Sequence, residues 1–134
     1  MRSKNNVRRF LAHNMSSKPP DSACSAKAVE IAWKLRWRGY DSEDAAVRAL
    51  RRHCRGISAA DAASALRVAA AVLERAIRVL KPHLQTLATI YQTHREIGPA
   101  DLVQFEPELV AHFPDCPSDA LRTALQSAMV YHMR

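Results

Sequence analysis

The residues best suited to a specific chemistry are four arginines, Arg48, Arg51, Arg52 and Arg55. On a helix their i, i+3, i+4, i+7 spacing puts all four on one face, with Ala46, Val47, Leu50 and Cys54 opposite. A planar guanidinium presents a fork of N–H donors that matches phosphate or carboxylate oxygens. A row of them suits a phosphate backbone, where each contact also releases condensed counterions. Lys34 and Arg38 lie shortly before this stretch, and Arg8 and Arg9 lie in a basic N-terminal segment; all four can extend the same surface. The bland alternative is a solvated face paired with acidic residues near the C-terminus, such as Glu106 and Glu108.

Three cysteines and six histidines invite a second chemistry. His53-Cys54 together with His112 and Cys116 is the strongest metal candidate, but neighbours on a helix point about 100° apart and no C-x-x-C or H-x-x-x-H pair accompanies them. No metal or other cofactor is expected. His53 and His112 read instead as buried or half-buried, hydrogen-bonded residues. An odd cysteine number without paired spacing argues against a disulfide framework and for a reducing compartment. Cys54 sits among arginines, which can depress a thiol pKa, yet it falls on the packing side of its helix and reads as an inert core residue. Nucleophile-elbow, Walker and dinucleotide-binding glycine patterns are lacking, and no pair of inward carboxylates is evident. The sequence therefore predicts a protein that is not an enzyme.

The elements that must position these residues are helical. Only 3 of 134 residues are glycine, and strand-like runs of β-branched and aromatic residues are few. With 48% hydrophobic and 25% charged residues the chain has ordinary globular usage and enough length for one continuous core. The expected fold is all-α: a compact bundle of about six helices carrying a basic N-terminal arm, residues 1–20, on a single helical domain, residues 21–134.

Asp21 and Ser22 offer N-cap oxygens for a helix through Arg38, closed by Gly39. Its stripe is Ala28, Ile31, Ala32 and Leu35. Trp33 and Trp37 lie at the stripe's edge, where they cover a seam of the core. Residues 40–44 cap the arginine helix and place acids in its first turn, and Gly56 stops it. Ser58 and Asp61 start an alanine-rich helix to about Leu80, whose apolar arc is wide enough for the centre of a bundle. Pro82 opens a fourth helix with Leu84, Leu87, Ala88 and Tyr91 inward, ending near Ile97-Gly98. A fifth spans Asp101 to His112, and the last begins around Pro117-Ser118-Asp119.

Sliding the chain by 59 positions superposes Ile31 on Ile90, Gly39 on Gly98, Leu50 on Leu109, His53 on His112 and Leu66 on Leu125. This suggests two pseudo-repeated three-helix units, about 22–80 and 83–134. In that register Arg48, Arg51, Arg52 and Arg55 meet Pro107, Val110, Ala111 and Pro114, so the unit does not require arginine on the outer face of its short helix.

The net charge is +7 and uneven. Residues 1–56 hold 13 Lys/Arg against 5 Asp/Glu, while residues 83–134 hold 3 against 6. A polyanionic partner for the front half follows, as does head-to-tail self-association into a homodimer. No run approaches the roughly 20 apolar residues that span a bilayer, so no membrane is expected. The protein is expected in the cytoplasm, or in an organellar matrix if its Arg-rich, acid-free start is a transit segment. The function read from the sequence is nucleic-acid binding through the arginine helix and basic arm, mainly to the phosphate backbone. The alternative is a helical protein–protein interaction module whose groove or acidic-partner surface receives another protein.

Overall fold

A computed structural model of the chain describes residues 22–133, and these contain helices but no strand. In chain order they are α1 (Ser22–Arg36), α2 (Glu43–His53), α3 (Ala59–Leu80), a 3₁₀ turn (Lys81–His83), α4 (Leu84–His94), α5 (Pro99–Leu102), a second 3₁₀ turn (Val103–Phe105), α6 (Glu106–His112) and α7 (Ser118–Met133). The expected N-terminal arm, with Arg8 and Arg9, and the Asp21 cap lie outside the described residues.

The organising element is α3, which packs on α1, α2, α6 and α7. Its start is fixed locally: the Ser58 hydroxyl accepts the Asp61 N–H at 3.0 Å. Its 22 residues span roughly 33 Å. Val72, Leu73, Ala76 and Leu80 are shut away from solvent, as are Val29 and Ile31 of α1 and Leu121, Ala124, Leu125 and Ala128 of α7. The alanines among them let the three helices approach closely, while each buried leucine contributes about 2–3 kcal/mol of transfer free energy. His132 of α7 donates to the Ile77 carbonyl of α3 at 2.8 Å, tying the last helix to the centre. Among the described residues no helix is long and apolar enough to cross a membrane.

Several boundaries differ from those the sequence predicts. The helix expected over Asp101–His112 is three pieces, because Pro107 has no N–H to donate to the Val103 carbonyl and its ring crowds that position. The described residues thus hold five helices of eleven residues or more plus two short ones, where about six were expected. The fourth helix stops at His94; Leu87 is its buried residue, Ala88 is exposed, and Tyr91 is 40% exposed where the pattern put both inward. Leu87 enters the core with Leu84 and Ile90 packed beside it, which leaves Ala88 and Tyr91 on the outer side of α4. By contrast α1, its counterpart in the repeat register, sits in the core between α3 and α7. The short helices agree better: Leu50 and Leu109 are both buried, and each accepts a 2.8 Å hydrogen bond from the residue that ends its helix.

The first helix ends at Arg36, not Arg38. Gly39 N–H reaches the Lys34 carbonyl at 2.7 Å and Arg38 N–H reaches Leu35 at 3.0 Å, which is a Schellman closure. Arg38 therefore takes the left-handed position, φ 64°, that glycine usually fills. Gly39 is needed one residue later because a Cβ there would lie 3.1 Å from the Lys34 carbonyl oxygen. Arg38→Gly should raise stability by about 0.5–1 kcal/mol, read as a higher urea midpoint at unchanged slope. Arg38→Ala, with the same steric penalty, should give no gain; equal gains in both variants would contradict the assignment.

Candidate nucleic-acid interface

Helix α2 is set by its ends. The Ser42 hydroxyl accepts the Ala45 N–H at 3.2 Å, and Glu43 and Asp44 occupy the first turn, where negative charge favours the helix dipole. Ala46 and Leu50 are buried and Val47 is half-buried, so the apolar side faces α1 and α3 as expected. Arg48, Arg51 and Arg52 are exposed on the other side.

Arg55 does not belong to the helix. The last helical residue is His53; Cys54 leaves the helical conformation at φ −113°, ψ 88° while its N–H still reaches Leu50. Arg55 and Gly56 then form a turn, with Gly56 at φ +88°, a conformation that disfavours any side chain. Arg55 is exposed just past the helix end, so the guanidinium row continues onto the turn. Arg51 also differs from its neighbours, because its Nε donates to the Ile57 carbonyl at 3.0 Å and braces the α2–α3 junction. Arg48, Arg52 and Arg55 make no ion pair or side-chain hydrogen bond among the described residues.

That lack of partners bears on the bland alternative, in which the stripe pairs with Glu106 and Glu108. Glu106 is engaged elsewhere: its carboxylate, 11% exposed, accepts Arg122 Nε at 2.9 Å. The bond from Arg122, helped by one from Ser118, holds the Glu106 carboxyl below the usual carboxylate range against the opposing effect of burial. A depressed folded-state pKa contributes stability that is present above the unfolded value, near 4.3, and is lost as pH falls through the folded one. Glu106→Gln should cost about 1 kcal/mol at neutral pH, since Arg122 is half exposed. The difference from the parent should close as pH falls below 4, in urea titrations at several pH values. A difference that does not shrink would show that the lost bond is not ionic.

Lys34 and Arg38 are exposed, but at the other end of this surface. Cys24, in the first turns of α1, is bonded to Cys54 at the end of α2, so the two helices run antiparallel. The end of α1 that carries Lys34 and Arg38 consequently lies beside the acidic start of α2. The start of α1, by contrast, lies beside the Arg52–Arg55 end of α2. The neighbouring Arg36 is occupied by Glu74 and lies 5.2 Å from the centre of the Tyr131 ring. Trp33 is half-buried and meets Trp37 edge to face at 5.5 Å, and Trp37 leans on Tyr131 at 6.4 Å, closing the α1–α7 seam.

The disulfide corrects the cysteine reading. Cys24 and Cys54 sit with Cα atoms 5.9 Å apart, 30 residues apart in sequence. Both occupy inward positions of adjacent antiparallel helices, Cys24 in phase with Ala28, Ile31 and Leu35. That phase was the available signal, but without the pairing of α1 and α2 it pointed only to the core. Reduced cysteines, and the cytoplasmic assignment that leaned on them, lose their basis for this pair. Cys116 is free, and burial pushes its thiol up to about 11, which leaves it a poor nucleophile. His53 and His112 are exposed, not buried or half-buried as expected, because each lies at the end of a short helix whose inner face is already filled by leucine. No three His, Cys, Asp or Glu residues are grouped to hold a metal ion among the described residues.

The chain matches no known protein family, no characterised protein and no solved structure with which it was compared.

Proposed function

We propose that this protein binds a nucleic-acid backbone without enzymatic action, through the outer face of α2 and the turn that follows it. The observation that carries the reading is the unpartnered state of Arg48, Arg52 and Arg55 among the described residues. Arg36, Arg67 and Arg122 behave differently, each lying against a carboxylate: Glu74, Glu43 and Glu106. Guanidiniums left in water beside one another repel, and a polyanion relieves that repulsion while releasing counterions. Arg8 and Arg9 lie outside the described residues and belong to this reading by their charge alone; the exposed Lys34 and Arg38 form the periphery of the surface. The sequence repeat adds to this reading, because α6 keeps the inner leucine with Pro107, Val110 and Ala111 outside. Contacts of this kind go to phosphates and carry little base specificity.

The rival reading, a helical protein-interaction module, is favoured by one observation: Tyr91, Val103, Val110, Val130 and Met133 of the second half are each 40% exposed or more. The two separate in one experiment. Protein purified at low salt should carry material absorbing at 260 nm that nuclease removes, and its binding to labelled duplex and single strands should weaken steeply with salt. Protein free of nucleic acid, or a salt-independent pull-down that survives nuclease, would overturn the proposal.

A further inference from the structure

A second basic cluster lies at the other end of α3. Arg75 and Arg78, one turn apart, border an open cavity of about 300 Å³ whose far wall is α6. His83 and His112 complete the rim, and Val79 and Ala111 add an apolar lining. The rings are steadied by aromatic packing: His83 lies 4.8 Å from Phe105 and His112 lies 6.5 Å from Phe113, centre to centre. Pro82, in the 3₁₀ turn, sets the direction from which His83 enters.

Four nitrogen-bearing residues thus line one space, and a single acidic residue, Glu108, lines it with them. Glu108 lies within ion-pair distance of neither arginine, and neither arginine has another partner among the described residues. Arg75 is half-buried as a residue and Arg78 is exposed. Two guanidinium forks and two imidazole donors around a concave surface are the donor set of a phosphoryl site. The volume is at the lower end for small-molecule pockets, enough for a phosphoryl group and a small substituent but not for a duplex. Glu108, being an acceptor only when ionised, suits a hydroxyl of that substituent.

We propose that the cavity between α3 and α6 binds a small hydroxylated phosphate monoester, with Arg75, Arg78, His83 and His112 around the phosphoryl oxygens and Glu108 on a hydroxyl. The site is independent of the α2 surface. Arg67 against Glu43 places the start of α2 at the middle of α3, and Ile57 under Arg51 places its end at the start of α3, so along α3 the cavity lies roughly 12–16 Å from the start of α2 and roughly 25–30 Å from its end.

The test is calorimetric titration of the full chain with inorganic phosphate and with glycerol 3-phosphate, at constant ionic strength. Saturable binding with a Kd of about 1 mM or tighter is expected for glycerol 3-phosphate, and weaker binding for inorganic phosphate. Arg75→Gln with Arg78→Gln should weaken both by about tenfold or more. Glu108→Gln should instead tighten inorganic phosphate, which loses a repulsive neighbour, and narrow the preference for glycerol 3-phosphate; a gain of binding cannot come from misfolding. Arg48→Glu with Arg52→Glu should leave both affinities unchanged. Absence of saturable binding, loss through the α2 variant, or no response to Glu108→Gln would each overturn the proposal, and none of these results bears on nucleic-acid binding.

Discussion

Removing the Cys24–Cys54 bond, by Cys24→Ala with Cys54→Ala or by reduction, should lower the unfolding free energy by about 3–4 kcal/mol. The bond closes a loop of 30 residues, and the chain-entropy model gives about that loss for a loop of this length. Against a total of roughly 5–15 kcal/mol this is a large fraction, and it corresponds to a fall in melting temperature of roughly 10–15 °C. The bond joins the start of α1 to the residue that ends α2, so its loss releases both the chain entry and the last turn of the arginine helix. Cys54 is 5% exposed, which makes reduction in the folded state slow and a mild denaturant necessary. Thiol titration in denaturant without reductant should find one reactive group, Cys116, and three after reduction. Three thiols before reduction, or an unchanged melting temperature in the double variant, would remove the bond from the account.

Reversing two charges on α2, Arg48→Glu with Arg52→Glu, should weaken binding to duplex by about 100-fold at 0.1 M salt. Each phosphate contact adds about 0.9 to the slope of log K against log salt, so the loss of two should flatten that slope by about 2. New repulsion from the glutamates adds to the loss of affinity. These two positions are preferable to Arg51, whose Nε holds the Ile57 carbonyl; a variant there would confound binding with damage to the α2–α3 junction. Both chosen side chains are exposed and unpartnered among the described residues, so helix content and stability should hold. The control is Lys34→Glu with Arg38→Glu, at the end of α1 beside the acidic start of α2, where a loss of less than about tenfold is expected. Equal losses in the two pairs would show a diffuse electrostatic attraction with no preference for the α2 face.

Much of the helical framework follows from residues close together in the chain. The hydroxyls of Ser42 and Ser58 cap α2 and α3 by bonding N–H groups three positions on, and the 3.6-residue period of Ala46, Leu50, Leu66, Leu73, Ile77 and Leu80 already separates inside from outside. The same period puts Arg48, Arg51 and Arg52 in water. Where local reading failed, a competing local effect or a missing neighbour was responsible. Pro107 divided the fifth helix, a Schellman closure ended α1 two residues early, Cys54 left Arg55 on a turn, and α4 turned Leu87 inward but left Ala88 and Tyr91 outside.

The sequence by itself determined, then, that the chain is helical, which faces of α2 and α3 are apolar, and that one of those helices carries arginines outward. All of this rests on interactions within about one helical turn, and a linear pattern encodes those completely. Only the tertiary structure decided that Cys24 meets Cys54, that Arg122 takes Glu106 away from the arginine stripe, and that Arg78 and Glu108 share a cavity. Those pairs lie 16 to 30 residues apart, and whether they meet depends on how the helices cross. The crossing is set by the fit of side chains on three packed surfaces together, which no single helix's periodicity contains.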